Sequence, residues 1–211
     1  KNPCKKNRYA EMIRQVQLIQ CGQKPSFSIT KKIYYKKEII GVVSNGILVL
    51  KGTSSLSEVI KDIQGKRIEV KEGGISRGAY SIFEAIKPQL RDVEIYYITG
   101  WSLGAMVGLQ VSLWIYDRTG RKTKNIFFGL PPIVDEKYKN NFNKHLYDRT
   151  IVYNHNNDPC AWPVLGKNII YKSIEKLLNF HHVGQIRLDY PYTDYCKKHW
   201  YYLPAYHLSY F

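Results

Sequence analysis

At 211 residues the chain has room for one α/β domain of ordinary size and is cramped for two. Its 44% hydrophobic and 14% aromatic content, with nine prolines, excludes a disordered chain, a collagen-like repeat and a small cysteine-stapled scaffold. The balance of 32 Lys and Arg against 17 Asp and Glu leaves +15, which directs attention to anionic partners such as phospholipid surfaces or nucleic acid.

The charge is concentrated at the start. Residues 1–37 hold ten Lys or Arg and a single acid, Glu11, so the chain opens with a basic arm. Within it Tyr9, Met12, Ile13, Val16 and Ile19 recur at helical spacing and Gly22 offers a stop, which predicts an amphipathic helix, either docked on a core or facing a membrane. From Ile39 two β-rich runs, IIGVVS and ILVL, flank Asn45-Gly46, the dipeptide best suited to a type I′ hairpin turn. A short strand near Arg67 to Val70, a helix within Gly78 to Leu90 and the strand Val93 to Thr99 follow. Leu103 to Tyr116 reads as a buried helix, too short and too interrupted by Gln110 and Ser112 for the roughly 18 apolar residues of a membrane span. Then come a strand at Asn125 to Phe128, a helix at Asp135 to Leu146, a strand at Thr150 to Asn154 and a strand in VGQIRLD. Strand alternating with helix predicts a central mixed sheet covered by helices. The simplest division is a basic arm over residues 1–38, packed on a domain over residues 39–211.

Directly after the strand VEIYYIT stands Gly100-Trp101-Ser102-Leu103-Gly104, a GxSxG pentapeptide in the strand-turn-helix setting of a nucleophile elbow. A serine hydroxyl is a weak nucleophile unless a histidine takes its proton and an acid holds that imidazole in the right tautomer. In the chain order of such enzymes both partners follow the serine. Asp158 fits the acid, in the loop HNNDPCAWP after the strand TIVYN. Of the histidines beyond it, His181 and His182 adjoin a strand and read as packing or backbone-bonding, and His199 lies in the cationic run CKKHWYY. His207, in a turn-like segment after Pro204, is the preferred base. The cysteines, Cys4, Cys21, Cys160 and Cys196, lack the paired short spacings of a zinc site, and the chemistry needs no metal or organic cofactor.

Several blocks in order resemble the class 3 lipases, the fungal-type triacylglycerol lipase family of the α/β-hydrolases. KGTSSL resembles the family's RGT/RGS segment, GGISRGAY the block before its next helix and GWSLGA its GHSLGG. FGLPP resembles FGxPR, NNDPCAWP resembles DPVPxLP, FHHVG resembles YxHxG, and HLSY resembles HxxY. The resemblance implies an α/β-hydrolase fold, with a mostly parallel sheet between helices, and the triad Ser102, Asp158 and His207. It adds an oxyanion hole from the backbone N–H groups of Leu103 and Thr53, and a lid for which Ser54 to Ile63 is available. Trp101, beside the nucleophile where the family has histidine, and Leu56 are the expected substrate contacts. Lys51 stands in place of the usual arginine, and arginine is not interchangeable with lysine in bidentate contacts.

The function expected is therefore a serine ester hydrolase, a lipase or phospholipase A1-like enzyme that cleaves acyl esters of glycerolipids through an acyl-enzyme on Ser102. The basic arm suggests peripheral contact with an anionic membrane surface. The alternative is an idle hydrolase scaffold that binds a lipid surface or partner through that arm. Nucleic-acid binding has only charge and eighteen tyrosines in its favour, and no motif.

Overall fold

The computed structural model describes residues 8–52, 67–154 and 181–187. Among them, seven strands form one sheet in the order β1-β2-β3-β6-β7-β8-β9, and two more, β4 (Arg67–Val70) and β5 (Gly73–Ser76), form a separate hairpin. The large sheet consists of β1 (Lys31–Tyr35), β2 (Glu38–Ser44), β3 (Ile47–Leu50), β6 (Tyr97–Trp101), β7 (Lys124–Phe128), β8 (Thr150–Tyr153) and β9 (Gln185–Arg187). Neighbours from β3 to β9 pair in parallel, whereas β1-β2 and β2-β3 are antiparallel. This is an α/β-hydrolase arrangement, with an amphipathic helix and a β-hairpin at its N-terminal side.

The alternation of strand side chains divides the core in two. Val43, Leu48, Leu50, Ile98 and Phe127 face one layer, made by α2 (Arg77–Ile86) and α3 (Leu103–Thr119). Val42, Val49, Trp101, Ile126 and Phe128 face α1 (Arg8–Ile19), whose Ala10, Met12, Ile13 and Val16 are buried against them. The apolar stripe of the arm's helix is thus spent on the sheet. It is not an apolar face offered to a membrane. Glu11 and Arg14 pair on the helix's outer side.

α3 is apolar nearly all round and runs through the middle of the second layer, with Gly104 through Leu113 buried without a break. It continues to Thr119 and ends at Gly120, in the left-handed conformation at φ 71°, three residues beyond the sequence expectation. α2 stops at Ile86 and passes into a tight 3-10 turn, Lys87–Leu90, because Pro88 has no N–H to continue the helical ladder. α4 (Glu136–Leu146) is capped by the Asp135 side chain, which accepts from the Tyr138 N–H at 2.8 Å.

Two strands were not foreseen. β1, KKIYY, has only Ile33 fully buried, so its lysines and tyrosines mask the strand pattern. It precedes residue 39, yet it hydrogen-bonds along β2, so the sheet begins inside the arm. β5 is GGIS, low in strand propensity, and its glycines are there for space: a Cβ on Gly73 would lie 2.4 Å from the Tyr138 nitrogen.

Both turns of the β1-β2-β3 meander have two residues, and all four central residues have positive φ. Asn45 and Gly46, at 47° and 75°, are the residue types that tolerate this. Lys36 and Lys37, at 46° and 69°, are not, and each costs about 1–2 kcal/mol there.

Candidate active site

The parallel strands end on one edge of the sheet, and at the end of β6 the chain turns sharply into α3. Ser102 occupies that turn at φ 52° and ψ −119°, a conformation that L-residues rarely adopt and that is held only where surroundings impose it. The imposing contacts are visible. Its N–H donates to the Phe128 carbonyl at 2.9 Å, and its own carbonyl accepts from Met106 N–H at 3.0 Å.

The two glycines of the pentapeptide have a steric reason. A Cβ on Gly100 would lie 2.6 Å from both the carbonyl carbon and the oxygen of Gly104, so strand and helix could not meet at this angle. A Cβ on Gly104 would lie 2.5 Å from the carbonyl oxygens of both Leu50 and Lys51. The first turn of α3 is therefore pressed against the end of β3, where the KGT segment begins. Gly52 continues the close approach: its Cβ would stand 2.4 Å from the Trp101 ring and 2.8 Å from the Trp101 carbonyl.

The Ser102 hydroxyl is fully buried, and its Oγ has no hydrogen-bond partner among the described residues. A buried hydroxyl left unpaired costs stability, and such exceptions gather where chemistry is done. The N-terminal amides of α3, Leu103 first, have no intrahelical acceptors, and no acidic residue stands in that turn. The seventeen-residue helix points its positive end at the serine. An anion forming beside Ser102 would face the amide donors of that first turn and the positive end of the helix.

Two other described segments, 129–134 and 181–182, meet near the same edge. The Gly129 N–H donates to Tyr153 O at 2.9 Å, and the buried Asn154 donates through Nδ2 to Leu130 O at 3.2 Å. Asn154, at the end of β8, thus ties the FGLPP loop to the strand that leads toward residue 158. Sequence reading passed over it because an asparagine ending a strand looks like a turn residue. His181 donates its backbone N–H to Val134 O at 2.7 Å, and His182 is buried beside it. The Lys51 ammonium is held below the usual lysine range by burial, with nearby Glu38 opposing part of the shift.

Of the residues expected at the site, Ser102 and Leu103 stand at the elbow. Trp101 is 1% exposed and lies in the α1-side core among Val49, Phe128 and Ile13. Its neighbour in sequence is Ser102, but strand alternation turns the Trp101 ring to the opposite side of the sheet from α3. Asp158, His207, Thr53 and Leu56, and the expected lid at Ser54 to Ile63, lie outside the described residues.

A mostly parallel sheet that hands a serine, at positive φ, to the N-terminus of a buried helix defines an α/β-hydrolase. The chain belongs to the class 3 lipases: the family's model, Lipase (class 3), matches residues 47–162, over half the chain. Lipase-type hydrolysis of carboxylic esters comes with that membership. Solved structures share the fold at low identity. The lipase of Rhizopus microsporus var. chinensis superposes with a TM-score of 0.63 at 15% identity, covering 86% of this chain and 72% of its own. The triacylglyceride lipase of Rhizomucor miehei gives 0.59 at 17% identity, over 85% and 77%. The Lip2 lipase of Yarrowia lipolytica gives 0.59 at 15%, also over 85% and 77%. No curated protein matches the sequence significantly.

Proposed function

We propose that the chain hydrolyses acyl esters of glycerolipids by way of an acyl-enzyme on Ser102. His207 takes the Ser102 proton as Oγ attacks the ester carbonyl, and Asp158 holds the imidazolium that results. The Leu103 and Thr53 N–H groups receive the charge that develops on the carbonyl oxygen. His207 then gives its proton to the departing alcohol, and a water activated by the same imidazole releases the fatty acid.

The observation that carries this reading is the elbow itself, with Ser102 strained, its hydroxyl without a hydrogen-bond partner among the described residues, and a helix N-terminus beneath it. The closeness of Gly104 to Leu50 and Lys51, just before Thr53, supports a second donor from that segment. Among glycerolipids the +15 charge favours phospholipids, so the enzyme is read as phospholipase A1-like rather than a lipase of neutral fat.

The test is a panel of triacylglycerols and phospholipids of varied head group and chain length, incubated with the wild type and with Ser102→Ala, fatty acids being measured by mass spectrometry. Release by the wild type alone, greatest on anionic phospholipids, is expected. Equal release by Ser102→Ala would refute the nucleophile, and preference for triacylglycerol would refute the head-group reading.

A further inference from the structure

The turn between β1 and β2 is the place where the sheet departs most from what its backbone asks of its sequence. The two-residue turn from β2 to β3 uses Asn45-Gly46, whereas the geometrically similar turn from β1 to β2 uses Lys36-Lys37, both held at left-handed φ. The same sheet shows which residues suit that geometry, so the lysines are kept against the local preference. Neither pairs with a carboxylate among the described residues: Lys36 lies 5.3 Å from the Tyr35 ring centroid, and Glu38, the one acid at the tip, acts on Lys51.

Register places this tip. Gly41 pairs with Leu50, and Leu50 pairs with Gly100, two residues before Ser102. The Lys51 N–H donates to the Ile40 carbonyl, so β2 extends past the end of β3 on the nucleophile's edge. From Gly41 to the turn is about 10–13 Å of strand, and β2 lies two strands, about 10 Å, from β6. Lys36 and Lys37 therefore project beyond the catalytic edge. Near them the 44%-exposed Tyr34 pairs with Ile39 on the edge strand, and the exposed Lys32 lies on the same face of that strand, farther from the turn. The free edge of β1 is itself closed, since Gln89 accepts from the Tyr34 N–H and donates to its carbonyl. The lysines are thus not needed at that point to keep another strand away.

Lysine heads beside tyrosine rings are the combination that settles in the head-group layer of an anionic bilayer. We propose that the β1-β2 hairpin is a docking element for anionic phospholipid surfaces, which sets the nucleophile's edge of the sheet against the lipid. The proposal rests on the glycerolipid reading of Ser102 and names the surface from which substrate is drawn. It transfers the membrane role from the arm as a whole to its last turn, because α1 and β1 are integral to the core and sheet.

The experiment uses the full chain with Lys36→Asn and Lys37→Gly together, measured by co-sedimentation with vesicles of phosphatidylcholine alone or mixed with phosphatidylserine. The Ser102→Ala background prevents turnover during binding. Binding to the mixed vesicles is expected to weaken about 10- to 30-fold and to lose most of its salt dependence, with little change on phosphatidylcholine. The melting temperature should rise, since Asn-Gly suits the turn, and turnover of a soluble p-nitrophenyl ester in the Ser102 background should stay unchanged. Unaltered binding to mixed vesicles, an equal loss on both vesicle types, or tighter binding of wild type to duplex DNA than to vesicles would overturn the proposal. Absence of soluble-ester turnover in wild type with vesicle binding intact would instead overturn the hydrolase reading and leave a docking surface without catalysis.

Discussion

Gly104→Ala tests whether the elbow depends on contact between the start of α3 and the end of β3. The added methyl would meet two carbonyl oxygens, of Leu50 and Lys51, each at 2.5 Å, and both belong to backbone that cannot rotate aside. Opening those contacts to 3.0 Å moves helix and strand apart by about 0.5 Å. Overpacking of this kind costs about 1–3 kcal/mol, against which better helix propensity returns up to about 1 kcal/mol. A net loss near 1 kcal/mol lowers the melting temperature of a chain this size by about 2–4 °C. The same shift displaces the first-turn amides that the proposed mechanism sets against the oxyanion, where errors of this order reduce turnover by about 10- to 100-fold. Gly108→Ala is the comparison, because its methyl meets only side chains, the Phe127 ring at 2.8 Å and Ile98 at 3.1 Å, and no backbone. Calorimetry and p-nitrophenyl ester kinetics on both variants read the result. Wild-type stability and turnover in Gly104→Ala would refute the claim that this approach shapes the elbow.

Three further outcomes are expected. Ser102→Gly should abolish hydrolysis and raise stability by about 1 kcal/mol in urea titration, because glycine accepts the positive φ, whereas Ser102→Ala keeps the strain. Tyr138 is fully buried and donates to Gln110 Oε1 at 3.1 Å; burial, assisted by Glu72 and Asp117, pushes its hydroxyl well above the usual tyrosine range. A folded-state pKa above the unfolded value stabilises the protein fully below about pH 10 and is lost as pH rises beyond it, so Tyr138→Phe should flatten the alkaline fall in melting temperature while costing about 1 kcal/mol at pH 7. Trp101→Phe should lower stability through a partly emptied α1-side core and leave the KM for soluble esters unchanged; a raised KM at wild-type stability would return the indole to the substrate.

The parts of the fold legible in the sequence are those where one local rule acts alone. Asn45-Gly46 announces a hairpin because few residues tolerate its dihedrals, and Leu103 to Tyr116 announces a buried helix because it is a long apolar run broken only by Gln110 and Ser112. The glycines flanking Ser102 made the elbow readable, since each marks an approach too close for a Cβ. What escaped reading was decided by tertiary contact. β1 owes its place to pairing with β2 rather than to its own lysine-rich pattern, and β5 owes its glycines to Tyr138 on α4. Trp101 was misdirected by adjacency: next to Ser102 in the chain, it points to the other layer because side chains alternate across a strand. Asn154 carries no motif, and only the fold reveals its bond to Leu130.

The central claim is that the strained hydroxyl on the β6-α3 turn is the atom that attacks the ester. Incubation with a fluorophosphonate, followed by digestion and mass spectrometry, tests it most directly. The adduct is expected on Ser102, in step with loss of ester hydrolysis and absent from Ser102→Ala. An adduct on another residue that accounts for the inactivation, or hydrolysis that persists with Ser102 fully modified, would contradict it.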